Sequence, residues 1–367
     1  MASYHSHDFS FHSWAEHCEQ SFALPLIINH DIEVSVLESS IVEPRHRDNA
    51  WNLFFGKHFT AEVYKPRRYV YKEFEAWIAS AISRGDVNFL EVGCGHGCTM
   101  LPLLSILSHN SSIETHDARE ITAIAKIRYV ASDCSMEALD LLEKKVEQLR
   151  FPNNFTIYSM LWNCEESLPY LQSAKCISLP RPSSELYLPI SLTPSPVTSS
   201  LEVSSTGLLE NIAIDNNQRV EFPACYTEPL FDLALCIFTL SSLPSGKHSG
   251  ALKRIADALR PGGCLLFRDY GVYDMTMYRH QKRLDQFLFA RPEGTLAYYF
   301  SVEYFEALAI DCGFEVVELD YACVLLKNRK ASATTAIDDE FACVEHGKSA
   351  ASAMRRIFLH AVLKKPE

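Results

Sequence analysis

At the end of the apolar run Val87 to Val92 the chain reads Leu90-Glu91-Val92-Gly93-Cys94-Gly95-His96-Gly97. Glycines at such a position let the backbone take positive φ and approach a ligand closely. In a doubly wound sheet the ligand sits at the carboxyl ends of the strands, where the first turn is short. The spacing is G-x-G-x-G, with the third glycine one residue too early for a dinucleotide loop, and no G-K-S or G-K-T follows to make a phosphate loop. A second strand-like run, Ala125 to Ala131, ends at Asp133, whose carboxylate can accept hydrogen bonds from ribose hydroxyls. Together these residues favour S-adenosylmethionine over NAD, with Glu91, Gly93, Gly95, Gly97 and Asp133 as cofactor residues. Simpler roles exist: Asp133 capping a helix over 135–149, Glu91 satisfying amides of the turn, and Cys94 packing with no base beside it.

The elements that must position these groups alternate. A helix over about 99–107 follows the glycine loop. After Asp133, the apolar residues Ala138, Leu141, Leu142, Val146 and Leu149 fall on one helical face. Strand-like Phe155 to Leu161 comes next, and the pattern resumes at Phe231 to Phe238. Helix 249–259 then ends at Pro261-Gly262-Gly263. Strand Cys264 to Arg268, helix Val302 to Cys312 and strands near 314–325 and 356–363 complete the set. Strand–helix alternation of this size predicts a mostly parallel, doubly wound sheet of seven strands. Residues 173–229 hold 7 of the 17 prolines and ten serines without a sustained period, which reads as a flexible, disordered insertion. Residues 1–45 read as a flexible leader and 46–80 as amino-terminal lid helices. Residues 81–367 form the domain proper, with a second loop insertion over 327–352.

The composition, 47% hydrophobic and 22% charged, is that of a globular protein. No apolar run has the roughly 18 residues needed to span a membrane. The first 45 residues contain Asp8, Glu16, Glu19, Asp31, Glu33, Glu38 and Glu43, too acidic for a mitochondrial transit peptide, so a cytoplasmic or nuclear location is expected. The 12 cysteines form no paired C-x-x-C framework and read as reduced thiols. His5, His7, His12 and His17 have no apparent second shell, so no metal is expected. A net charge of -12 argues against a general nucleic-acid coat but leaves room for a local basic face.

One longer stretch narrows the reading. The run Leu259-Arg260-Pro261-Gly262-Gly263-Cys264-Leu265-Leu266-Phe267-Arg268-Asp269-Tyr270-Gly271-Val272-Tyr273-Asp274 is followed by Arg279, by Arg291-Pro292-Glu293-Gly294-Thr295 and by Tyr298-Tyr299-Phe300. This resembles the methyltransferase-like family that makes 3-methylcytidine in tRNA anticodon loops. Cys236 to Ser242, Trp51 with Phe54-Phe55, and Tyr64-Lys65 through Arg67 to Glu73-Phe74 resemble further segments of it. The resemblance covers about 50–172 and 230–365. It implies a class I, Rossmann-like methyltransferase fold and places Trp51, Phe55, Gly93, Asp133, Leu161, Trp162 and Ile237 at the cofactor. The chain departs from the family at three places. No Asp follows strand three, where Ser159-Met160-Leu161-Trp162-Asn163 stands and leaves Asn163 as the polar group. Pro66 and Tyr69 replace Asp and Trp in the lid. Leu296 stands where the family has Arg.

The implied reaction is methyl transfer to N3 of a tRNA cytosine, whose neutral form already carries the lone pair. Orientation can then supply ~7 kcal/mol or more of the barrier. Asp269, beside Arg268 and Tyr270, is the candidate to stabilise the positive charge that develops. The alternative is a structural Arg268–Asp269 ion pair. Tyr270 or Phe238 would stack on an extruded base. Lys65, Arg67, Arg68, Arg279 and Arg291 are the candidate RNA contacts, and charge reversal at Arg67 and Arg68 is expected to weaken tRNA binding while leaving cofactor binding near normal. The implied partners are the tRNA anticodon loop and, as in some family members, an aminoacyl-tRNA synthetase or other protein. Two alternatives remain: the same fold acting on a small molecule or protein, and a non-catalytic partner subunit.

Overall fold

The computed structural model describes residues 7–25, 44–58, 64–113, 125–168, 173–178, 230–327 and 353–367. Among the described residues three helices come first, α1 (Phe11–Ser21), α2 (Pro44–Lys57) and α3 (Tyr69–Ser83). Then follow β1 (Val87–Val92), α4 (Met100–Ile113), β2 (Ile127–Asp133), α5 (Met136–Glu147), β3 (Phe155–Leu161) and β4 (Lys175–Ser178). The chain continues with β5 (Phe231–Ile237), α6 (Ser245–Ala258), β6 (Leu259–Tyr270), β7 (Lys282–Arg283), β8 (Leu288–Ala290) and β9 (Leu296–Tyr298). It closes with α7 (Val302–Asp311), β10 (Glu315–Lys327) and β11 (Ala353–Lys364).

The main sheet runs β10-β11-β6-β5-β1-β2-β3-β4. Its centre, β6 to β3, is parallel, while β11 runs against both β6 and β10. Helices cover both faces, so the central strands are apolar on both sides rather than alternating: in β1 and β2 all residues but one are buried. The expected α/β sheet is present with eight strands rather than seven. The extra strand, β4, pairs antiparallel with β3 at the sheet edge. It lies at the start of the stretch expected to be a flexible insertion. Residues 179–229, like 328–352 of the second insertion, lie outside the described residues.

Local signals explain the boundaries. Ser135 caps α5 by accepting a hydrogen bond from Ala138 N, and Ser301 caps α7 through Tyr304 N. Helix α5 buries Ala138, Leu139, Leu142 and Val146, while Leu149 of the expected face is exposed beyond the helix end. Gly263 sits where a Cβ would meet Arg260 O at 2.9 Å and Phe231 O at 3.0 Å, so only glycine lets β6 join the sheet there.

The leader is packed over residues 7–25, which corrects the expectation of a loose segment there. Trp14 of α1 is buried, and its indole Nε1 donates to Tyr273 O at 2.8 Å. Phe11 stacks on Tyr321 with ring centroids 4.0 Å apart. Tyr273 has φ 64, a conformation that non-glycine residues avoid. Trp14→Ala is therefore expected to lower stability by about 3–5 kcal/mol, readable by urea unfolding. A loss below about 1 kcal/mol would mean that α1 is an ornament on the fold.

Candidate functional site

From β1 the chain moves to β2 and β3 on one side, and returns to β5 and β6 on the other. The cleft opens at this switch point, above the carboxyl ends of β1 and β5. It holds about 910 Å³ of empty space, including the solvent at its mouth.

The glycine loop forms its floor. Gly93, Gly95 and Gly97 have φ 70, 53 and 87. A Cβ on Gly93 would lie 2.3 Å from Thr239, whose hydroxyl donates to Val92 O at 2.9 Å and so ties the end of β1 to the turn after β5. A Cβ on Gly95 would meet only the rim of Phe55, at 3.3 Å. Both positions carry a left-handed backbone penalty of about 1–2 kcal/mol for alanine. Gly93→Ala adds the clash with Thr239 and is expected to be the costlier substitution by thermal unfolding. Equal melting temperatures for the two variants would contradict this.

Asp133 faces the loop from the end of β2. Its Oδ2 accepts Gly95 N–H at 2.8 Å, and its Oδ1 accepts Ser135 N–H at 2.9 Å. Burial raises its pKa to about 6, against those two hydrogen bonds, which lower it. The helix over 135–149 is capped by Ser135, and Asp133 is left lining the cleft. Glu91 is pushed higher, to about 7, by burial; Tyr129 OH donates to its Oε2 at 2.6 Å. That bond binds β1 to β2 beneath the cleft, so the Glu91 side chain is a support and does not line the site.

Lid helix α2 closes one wall. Trp51 and Phe55 line the cleft one helical turn apart, with Phe54 packed edge-on to both. The same helix anchors itself through polar groups. Asn52 Oδ1 accepts Ser135 Oγ–H at 2.9 Å, and Asp48 accepts Asn163 Nδ2–H at 3.1 Å. Asn163, the polar group after β3, is therefore spoken for by the lid. Asp48 and Glu165 are the carboxylates lining that end of the cleft. Neither Asp48 nor Asn52 stands out in the sequence, although both fall at helical spacing with Trp51 and Phe55.

At the mouth, Phe238 has φ 58, a strained conformation for an aromatic residue. Its N–H donates to Arg268 O at 2.8 Å. Its ring lies 5.0 Å from that of Tyr270 and 5.5 Å from that of Phe358. The Arg67 guanidinium lies 4.9 Å from the Phe238 ring centre and donates to Ile237 O at 3.2 Å. Arg291 lies 5.6 Å from the Tyr270 ring centre. Burial raises the Tyr64 hydroxyl to about 12 despite Arg291 beside it. The mouth is thus an aromatic platform between two guanidiniums.

Strand alternation puts Asp269 on the face of β6 opposite to Arg268 and Tyr270, and of the two that share a face it is Tyr270, at the strand's end, that reaches the cleft. Only Tyr270 lines the cleft. Asp269 is fully buried and accepts Ser241 N–H and Tyr270 N–H, each at 2.9 Å; burial raises its pKa to about 6. It shapes the turn under Tyr270 without reaching the cleft. Arg268 is drawn to Glu73 Oε1 at 2.5 Å, between the rings of Tyr69 and Phe358. Asp269 is thus not its ion-pair partner.

The remaining candidates scatter. Trp162 lines the cleft, whereas Leu161 is 48% exposed and does not, as expected for neighbours at a strand end. Gly97 packs against Leu142 and Leu101, outside the cleft. Arg67 lines the cleft, and Arg68 lines a separate groove. Lys65 and Arg279 are exposed, with Arg279 beside Met354 Sδ at 3.9 Å.

A family model described as a methyltransferase domain matches residues 66–319. The chain belongs to the methyltransferase domain family. A curated relative, the tRNA N(3)-cytidine methyltransferase METTL6 of Rattus norvegicus, is 24% identical over 336 residues, covering 91% of this chain and 84% of the relative. The tRNA N(3)-cytidine methyltransferase METTL2 of Xenopus tropicalis is 33% identical over 105 residues, 28% of this chain. That match spans only 31% of the Xenopus protein's length. Among solved structures, a SAM-dependent methyltransferase of Methanosarcina mazei is 15% identical with a TM-score of 0.43, covering 79% of this chain and 97% of its own.

S-adenosylmethionine is the cofactor of this fold, and the residues present fit it. Bare backbone at Gly93 and Gly95 leaves space that side chains would fill. Asp133 supplies acceptor lone pairs for ribose hydroxyls beyond those its two backbone bonds use. The rings of Trp51, Phe55 and Phe238 offer π faces to a sulfonium. Because Asp133 ionises near pH 6, cofactor affinity is expected to weaken as pH falls from 7 to 5. The sign for stability is opposite. A carboxyl whose folded pKa is raised costs stability when ionised, and the folded chain regains that part below about pH 6. Calorimetric titration with S-adenosylhomocysteine at several pH values checks the first part; pH-independent affinity would contradict it.

Proposed function

We propose that this chain methylates N3 of a cytosine in a tRNA anticodon loop, using S-adenosylmethionine. The observation that carries the reading is the platform of Phe238 and Tyr270, flanked by Arg67 and Arg291, at the mouth of the cofactor cleft. Aromatic faces stack on a splayed base, and such bases occur in single-stranded RNA loops. The names of the Rattus and Xenopus relatives point to the same substrate.

When bound, the cofactor supplies an electrophilic methyl group. The neutral cytosine N3 carries the lone pair that would take this methyl group, so the chain needs no base to remove a proton from N3. The chain's residues hold and orient. Phe238 and Tyr270 set the plane of the base, and the lid aromatics exclude water. Asp269 fixes the backbone on which Tyr270 sits. With Arg268 turned away, the positive charge of the product is met by π faces rather than by a carboxylate in direct contact.

The test is nucleoside mass spectrometry of tRNA incubated with the purified chain and a donor carrying an isotopically labelled methyl group. Labelled 3-methylcytidine is expected, and labelled protein or small molecule with unlabelled tRNA would replace this reading. The net charge of -12 favours that second reading, a small-molecule or protein substrate. A requirement for an aminoacyl-tRNA synthetase or other partner, and a cytoplasmic or nuclear location, belong to the same proposal. Activity of the isolated chain would remove the partner from it.

A further inference from the structure

A second groove lies on the far side of the wall formed by Tyr64, His96 and Cys98, three residues that also line the cofactor cleft. Its empty space is about 1220 Å³, including open solvent. Leu101, Pro102 and Ile106 of α4 and Leu149 after α5 give it an apolar floor. Arg68 and Lys145 bring positive charge to it. The Lys145 ammonium lies 2.6 Å from His96 Nδ1 and donates to His96 O at 3.4 Å. Among the described residues, neither Arg68 nor Lys145 has a carboxylate partner. Arg68 and Lys145 thus set two cations beside an apolar floor, in a chain of net charge -12.

We infer that this groove binds one nucleotide of the substrate RNA strand, adjacent in space to the reacting base. The phosphate would lie at Arg68 and Lys145, and the base against Leu101, Pro102 and Leu149. A nucleotide combines a fixed anion with a flat ring whose faces pack on apolar side chains, which is the complement of this lining. The shared wall puts the groove beside the cleft, so a strand delivering a base to Phe238 and Tyr270 has a neighbouring segment within reach of it. The inference rests on the proposed RNA substrate.

The experiment measures affinity of the full chain for a fluorescent tRNA anticodon stem-loop across salt concentrations, for wild type, Arg68→Gln and Lys145→Gln. Each variant is expected to bind about tenfold more weakly and to lose roughly 0.7–1 from the slope of log affinity against log salt, as for one lost phosphate contact. S-adenosylhomocysteine affinity and melting temperature are measured alongside. Unchanged RNA affinity and slope overturn the inference. A parallel loss of S-adenosylhomocysteine affinity overturns it too, because Lys145 would then act only by holding the His96 backbone. If wild type binds no RNA, the substrate reading falls, and the groove is tested by itself. Cytidine 5′-monophosphate then separates the two: saturable binding lost in Lys145→Gln keeps the groove as a nucleotide site and rejects only the RNA.

Discussion

Replacing Glu73 with alanine is expected to cost the folded chain about 3–5 kcal/mol, the range for removing one partner of a buried ion pair. Glu73 lies on lid helix α3, and its side chain is 0% exposed while that of Arg268 is 7% exposed. Glu73 Oε1 accepts from Arg268 at 2.5 Å and from His360 Nδ1 at 2.8 Å. His360 Nε2 reaches Glu318 Oε2 at 3.0 Å, and Trp77 donates to the other oxygen of Glu318 at 2.8 Å. One polar chain therefore ties α3 to β6, β11 and β10. Without Glu73 the Arg268 charge remains buried between Tyr69 and Phe358. Glu73→Leu combined with Arg268→Met removes both charges and is expected to be less damaging than Glu73→Ala alone. Urea unfolding of the single and double variants checks this; additive losses would contradict it.

The network also fixes a pH signature. Burial opposes ionisation of Glu73, but Arg268 and His360 override it and hold the carboxyl below the usual value of 4.5. That contribution is present above about pH 4.5 and is lost as pH falls through the lowered folded value. Burial likewise opposes charge on His360, and its hydrogen bonds to Glu318 and Glu73 raise its pKa above 6.5. That part is full below about pH 6.5 and is lost as pH rises through the raised folded value. The network is therefore strongest from about pH 4.5 to 6.5.

The second large effect is at the cofactor. Asp133→Ala is expected to weaken S-adenosylhomocysteine binding by about a hundredfold or more, since each charge-assisted hydrogen bond to a ribose hydroxyl contributes about 1.5–3 kcal/mol. Asp133→Asn is not a mild control. Both carboxylate oxygens already accept backbone N–H groups, from Gly95 and Ser135, so an amide must turn its NH2 toward one of two donors. The asparagine variant is expected to bind nearly as poorly as alanine and to melt earlier than wild type. Wild-type affinity in Asp133→Asn, measured by calorimetry, would remove the carboxylate from the site.

What the sequence revealed followed from local chemistry. Three glycines after an apolar strand, and an acid at the end of the next one, need no long-range information, and Gly93, Gly95 and Asp133 do meet across one cleft. The run Arg268-Asp269-Tyr270 misleads because contiguity suggests one site, whereas alternation turns Asp269 to the other face and the ion pair with Glu73 draws Arg268 away from the cleft. The same alternation separates Leu161 from Trp162. The Glu73–His360 contact spans 287 residues and could not be read from spacing. Nor could the docking of Trp14 on Tyr273, which depends on where the turn after β6 lies. The short sheet β7-β8-β9 arises from weak two- and three-residue strands whose pattern is too brief to signal.

The most direct test is a crystal structure of the full chain with S-adenosylhomocysteine. The ribose hydroxyls should lie within hydrogen-bonding distance of Asp133, with the sulfur facing Phe238 and Tyr270 above Gly93. A ligand seated elsewhere, or a Trp51–Phe55 wall collapsed into the space above the glycine loop, would contradict the assignment of this cleft.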